Sequence, residues 1–219
     1  MRRVSTPRLY LVTPPVAEPD TLAPALAAAC AAGPVAAVQL RLEAADERTL
    51  VKRIKALAPV AQEHGAAVVI ALVGAAPADL DIARVAAHGG ADGVHVDGDP
   101  AAVRDLRSRL KEGRILGVGG LRSKHDAMTI GEEGADYLLF GAPRRDGSLP
   151  PLEAVEERAA WWAEIFETPC VAFAPALDAV PRLAATGAEF VALGEAVWDH
   201  PEGPAAAVRA ALAALEARG

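Results

Sequence analysis

Short apolar runs recur along the chain, each following a stretch whose apolar residues fall at helical spacing. The clearest case lies at residues 78–99. Residues 78–88 carry apolar side chains three and four apart, Gly89 and Gly90 stop the helix, and Val94-His95-Val96 begins a strand at once. The same joint returns at residues 133–141 and 186–194, with a looser copy at 31–41. Ala91 and Ala135 stand 44 positions apart, and Ala135 and Ala188 stand 53 apart. Either interval holds one further strand and helix, so the pattern predicts about eight βα units. The expected fold is α/β, a closed (β/α)8 TIM barrel in a single domain over residues 1–219.

The expected strands are 8–13, 36–42, 66–73, the run around His95, 114–120, 137–141, 170–175 and 190–194. Between them the periodicity predicts helices at 21–32, 46–64, 78–88, 101–111, one opening near Ser123, then 153–166, 178–185 and 204–218. In the second strand Gln39 and Arg41 alternate with Val38, Leu40 and Leu42, which puts both polar side chains on one face. In a barrel that face is the interior near the catalytic rim. Helix 153–166 carries Trp161 and Trp162, one expected to pack inward and the other to lie at the surface or an interface.

Composition narrows the picture. Hydrophobic residues make up 52% of the chain and aromatics only 4%, so the core is expected to be Ala, Val and Leu. A net charge of −7, with 22 Lys+Arg spread along the sequence, gives no basic stripe for nucleic acid. No apolar stretch approaches the roughly 18 to 20 residues of a membrane span, and the N-terminal residues have no apolar run behind them. A cytoplasmic protein is expected. Cys30 and Cys170 show no metal spacing and read as buried free thiols.

In such a barrel chemistry sits at the C-terminal strand ends. The candidates there are Gln39, Arg41, His95, Asp97, Asp99, Gly119, Arg144, Arg145, Gly194 and Glu195. His95, between two valines, reads as a hydrogen-bonded core residue before it reads as a catalyst. Asp99 before Pro100 is an N-cap or a ligand. Gly119 allows either a ligand's close approach or a tight turn, and Arg144 and Arg145 either meet an anion or face solvent. Residue patterning alone therefore reaches a barrel that binds a small anionic ligand.

Val38-Gln-Leu-Arg41, Gly90-Ala-Asp-Gly-Val-His95, Ile115-Leu-Gly-Val118, Gly134-Ala-Asp-Tyr137 with Gly141, and Gly187-Ala-Glu-Phe-Val-Ala192 occur in that order. Together they resemble the landmarks of the thiamine phosphate synthase and thiazole tautomerase superfamily over essentially the whole chain. The resemblance implies a transferase of thiamine biosynthesis, in which a hydroxymethylpyrimidine diphosphate loses pyrophosphate with the help of Mg2+ and a thiazole phosphate nitrogen attacks the cation. It assigns Gln39 and Arg41 to the pyrimidine and diphosphate, both as catalytic and as substrate-binding residues. His95, Gly119, Arg144, Arg145, Gly194 and Glu195 are placed as further substrate contacts, and Asp99 as the metal ligand. Several positions depart from the family pattern: Glu43 stands for a lysine, Ala71-Leu72 for Asn-Asp, Gly119 for a serine, residues 143–147 for a Thr-rich loop ending in Lys, and Ala174-Pro175 for Gly-Gly. Two readings follow. One is a divergent thiamine phosphate synthase-like enzyme with altered active-site positions; the other is a non-catalytic or repurposed barrel binding a phosphorylated or thiamine-related ligand. The expected partner is a small phosphorylated molecule, neither nucleic acid nor membrane, and a homodimer is left open.

Overall fold

A computed structural model describes residues 6–144 and 147–217. Eight parallel strands close in sequence order: β1 Arg8–Val12, β2 Val35–Glu43, β3 Ala67–Val73, β4 Gly93–Asp97, β5 Ile115–Gly119, β6 Tyr137–Phe140, β7 Cys170–Ala174 and β8 Phe190–Leu193, with β8 pairing back onto β1. The helices are α1 Pro19–Ala31, α2 Glu47–Gln62, α3 Ile82–Gly89, α4 Pro100–Arg109, α5 Lys124–Glu132, α6 Leu152–Ile165, α7 Val180–Ala184, α8 Glu195–Trp198 and α9 Pro204–Glu216. The expected (β/α)8 barrel is what the chain forms.

Strand alternation divides the buried residues into two shells. Leu9, Leu11, Val38, Leu40, Val68, Ile70, Leu116, Val118, Leu138 and Phe140 face outward under the helices. Tyr10, Val12, Val69, Tyr137, Leu139, Val171, Phe173 and Ala192 fill the barrel interior. Because α-helices lie close on the outer shell, small residues dominate them: Ala29, Ala58, Ala61, Ala86, Ala207 and Ala211 are all buried.

The recurrent helix-to-strand joint has a physical basis beyond its glycine. Gly90 ends α3 in the left-handed region at φ 86°. Two residues on, the Asp92 carboxylate accepts from the Val68 backbone N–H at 2.7 Å, tying the entry of β4 to β3. Asp136 accepts from Leu116 N at 2.7 Å before β6, and Glu189 from Cys170 N at 2.9 Å before β8. Each acidic residue of the repeat thus satisfies a backbone donor at the N-terminal face of the barrel.

Some boundaries differ from the periodicity. The third helix starts at Ile82 rather than Ala78, because the Asp81 side chain caps Ala83 and Arg84 N–H. The segment expected as one helix at 178–185 is a 3-10 turn, Leu177–Ala179, followed by α7. The eighth strand ends at Leu193, where the short helix α8, not anticipated, begins after Gly194. Ser123 does open α5, forming a capping box with Asp126. Arg53 donates to the Glu43 carbonyl at 2.7 Å. Trp162 is buried and donates to the Thr168 carbonyl, while Trp161 is half-buried beneath the Lys124 ammonium. Both cysteines are free and buried. Among the described residues no helix is long and apolar enough to cross a membrane. The terminal residues 1–5 and Arg218, about which the sequence also carried expectations, lie outside the described residues.

Candidate active site

The mouth of the barrel is built chiefly on β2. Thr13 and Val16, just past β1, hold its exposed end: Thr13 N donates to the Gln39 carbonyl at 3.0 Å, Val16 N to the Arg41 carbonyl at 2.8 Å, and Arg41 N to the Thr13 hydroxyl at 3.0 Å. On its other side β2 pairs with β3, Gln39 beside Val69 and Arg41 beside Ala71. Fixed on both sides, β2 presents Gln39 and Arg41 to the interior, as their alternation with Leu40 requires.

Gln39 is buried and accepts a hydrogen bond from the Tyr10 hydroxyl at 3.3 Å. Tyr10 lies 2.8 Å from the Tyr137 hydroxyl, which in turn lies 2.9 Å from His95 Nδ1. Four residues from β2, β1, β6 and β4 therefore form one chain of hydrogen bonds across the interior. Two glycines of β5 make room for it. A Cβ at Gly117 would lie 2.0 Å from the Tyr137 ring, and one at Gly119 would lie 2.8 Å from His95 Nε2. Burial drives both phenols well above their ordinary pKa and pulls His95 down to about 4, so the imidazole is neutral near pH 7.

Arg41 is half-buried, and its guanidinium makes no hydrogen bond or ion pair among the described residues. Desolvation lowers its pKa, and the negative charge of Glu195 on α8 partly counters this. Trp198 fixes α8 over the barrel by donating to the Val12 carbonyl at 2.7 Å. A desolvated cation with unused donors beside a barrel mouth is a site for an anion.

The other sequence candidates are dispersed. Asp99 caps α4, its Oδ1 accepting from Ala102 N at 3.1 Å, so the cap reading holds whatever else the carboxylate does. Gly119 is a strand residue lying against His95, not a turn. Gly194 is buried against the Phe173 ring at the start of α8, and Glu195 is exposed there. Arg144 is exposed in the loop after β6 and donates to the Ser148 hydroxyl at 3.3 Å; Arg145 lies outside the described residues. A surface hollow of about 360 Å3 has the carboxylates of Glu195 and Asp199 in its lining. That acidic set disfavours phosphate, so the anion argument rests on Arg41. Tyr10 and Tyr137 were missed by the sequence reading, although they are the chain's only tyrosines and strand parity turns both inward.

Among the described residues no three His, Cys, Asp or Glu side chains converge as a metal cage. A magnesium ion shared with a substrate phosphate needs only one or two protein carboxylates. Asp97, at the end of β4, and Asp99, two residues on, meet that lesser requirement.

Fold and mouth together define a (β/α)8 barrel whose C-terminal rim joins a desolvated cation to neutral hydrogen-bonding groups. A family model described as thiamine monophosphate synthase matches residues 9–197. This chain belongs to the thiamine monophosphate synthase family. It is 41% identical over 203 residues to a thiamine-phosphate synthase of Rhodospirillum centenum, covering 92% of this chain and 94% of that one. It is 37% identical over 221 residues to a thiamine-phosphate synthase of Hyphomonas neptunium, covering 95% and 94%. Among solved structures it resembles in fold a thiamine phosphate pyrophosphorylase from Pyrococcus furiosus, at TM-score 0.76 and 22% identity over 98% of both chains. The fold is also that of 3-hexulose-6-phosphate synthase from Salmonella typhimurium, at TM-score 0.70 and 18% identity over 97% and 100%.

Proposed function

We propose that the protein is a thiamine phosphate synthase, a single-domain cytoplasmic transferase that joins hydroxymethylpyrimidine diphosphate to thiazole phosphate with release of pyrophosphate. The observation carrying this reading is the half-buried guanidinium of Arg41, unpaired among the described residues, beside the neutral pair Gln39 and His95. The pyrimidine methylene-to-oxygen bond breaks, its electron pair leaves with the diphosphate, and the thiazole nitrogen then donates its pair to the methylene carbon. Departure of the anion is the hard part, so a cation poised at the leaving group lowers the barrier more than a base would. Arg41 fills that role. Gln39 and His95 hydrogen-bond the uncharged ring, and the apolar walls of Val69, Leu139 and Phe173 offer the cationic carbon no competing nucleophile. Mg2+, where bound, would neutralise the diphosphate, and Asp97 with Asp99 are the carboxylates available to hold it. In this reading Gly119, Arg144, Gly194 and Glu195 are further substrate contacts, the role the resemblance also gives to Arg145.

Incubation of the purified protein with both substrates and Mg2+, with pyrophosphate release as the readout, tests the proposal. Each charge-assisted hydrogen bond lost is worth about 1.5 to 3 kcal/mol, so Arg41→Met should lower kcat/KM by roughly 100-fold or more. Folded protein that binds thiazole phosphate yet shows no turnover would instead make it a repurposed phosphate-binding barrel.

A further inference from the structure

The chain Gln39–Tyr10–Tyr137–His95 contains three links but only two hydroxyl hydrogens. With a neutral imidazole, each link holds one hydrogen and no buried hydroxyl hydrogen is left unpaired only if the third comes from one end alone. Either His95 Nδ1–H donates to Tyr137, Tyr137 to Tyr10 and Tyr10 to the Gln39 carbonyl oxygen, or every bond reverses and the Gln39 amide nitrogen donates instead. In the first arrangement Gln39 turns its NH2 group away from the chain and His95 Nε2 is a bare acceptor. In the second Gln39 turns its oxygen away and His95 Nε2 carries the hydrogen. Gln39 Nε2 and His95 Nε2 make no hydrogen bond among the described residues, and neither is sealed from solvent.

We infer that these four residues form one polarised relay that locks the tautomer of His95 to the amide orientation of Gln39, so that the mouth always offers a heterocyclic ligand one donor and one acceptor. Tyr10 and Tyr137 are then positioning residues, acting through the relay without touching the ligand. The ligand class this selects is an uncharged ring carrying both an acceptor nitrogen and an amino donor. A ring with a methoxy group in place of the amine, which has no tautomer that donates, offers acceptors to both walls and forces one contact to fail. The substrate part of this inference rests on the synthase reading; the coupling itself does not.

The test is therefore split. In ligand-free protein, 15N shifts of the His95 imidazole, assigned by comparison with His95→Gln, should show a single tautomer with the hydrogen on Nδ1, the arrangement in which Gln39 accepts from Tyr10. Tyr10→Phe and Gln39→Leu alter residues that the relay places one and two links beyond His95's own partner, and each should convert that signal to a mixture. A structural role alone would leave it unmoved. An unchanged tautomer in both folded variants overturns the relay, whether or not the wild type turns over substrate. With turnover, the ratio of kcat/KM for hydroxymethylpyrimidine diphosphate over its 4-methoxy analogue should fall at least ~10-fold in Tyr10→Phe, about the value of one misplaced polar contact. An undiminished ratio overturns the selectivity claim while leaving the synthase proposal standing.

Discussion

Lowering the pH should weaken the fold through His95 in a way that can be isolated from every other histidine. The imidazole is buried, with its native pKa at about 4 against an ordinary 6.5. Between those values the unfolded chain binds more protons than the native one, so stability falls as pH falls from about 6.5 towards 4 and is independent of this group above about 7.5. The linkage integral gives a loss of about 2 kcal/mol between pH 7 and pH 5, on the scale of 1.36 kcal/mol per pKa unit. Urea unfolding of the wild type and of His95→Gln at pH 7, 6 and 5 measures it. The glutamine amide still hydrogen-bonds but does not titrate, and His64, His88, His125 and His200 remain in both proteins. The gap in unfolding free energy between the two proteins should therefore shift by about 2 kcal/mol over this range, with the wild type losing more. Parallel pH profiles would show that His95 is not held neutral by burial, and the argument for its role as an uncharged contact would go with it.

Three further outcomes follow from the same structure. Gly117→Ala drives a Cβ into the Tyr137 ring, and overpacking plus disturbed buried hydrogen bonds should cost roughly 3 kcal/mol, seen as a fall in Tm of roughly 6 to 12 °C. In a Tyr137→Leu background most of that extra loss should vanish, and additive losses would refute the contact. Asp92→Ala leaves the buried Val68 N–H without its acceptor and should lower stability by about 1 to 3 kcal/mol in urea titrations, with no change in substrate KM. Arg41→Met removes a desolvated cation with no hydrogen bond or ion pair among the described residues, so Tm should hold or rise while phosphate-ligand affinity drops; a clear fall in Tm would mean that the guanidinium is satisfied internally.

The repeat of helix, glycine and short apolar run made the barrel legible, since each joint carries its own local signal. Gln39 and Arg41 were legible for the same reason: strand parity needs no tertiary knowledge. What the pattern could not supply was the partner of each inward residue. Tyr10 and Tyr137 are 127 positions apart and meet only because the sheet closes. Gly119 reads as a turn or ligand-approach glycine, whereas its missing side chain and that of Gly117 accommodate an imidazole and a phenol from neighbouring strands. The start of the third helix was misplaced because apolar spacing runs back to residue 78, whereas the Asp81 side chain, accepting from Ala83 and Arg84 N–H, fixes the start at Ile82. Helix α8 was invisible because four residues are too few to show a period.

The carboxylates of Asp92, Asp136 and Glu189 stitch the strands into pairs, β3 to β4, β5 to β6 and β7 to β8, and always at the closed end. The first pair has Gly33-Pro34 at that place and is laced instead at the open end, by Thr13 and Val16. Three quarters of the molecule can thus vary their upper loops without loosening their foundations. The remaining quarter, which bears the amide and the guanidinium, is braced where reactants would arrive, so its two polar side chains keep their aim.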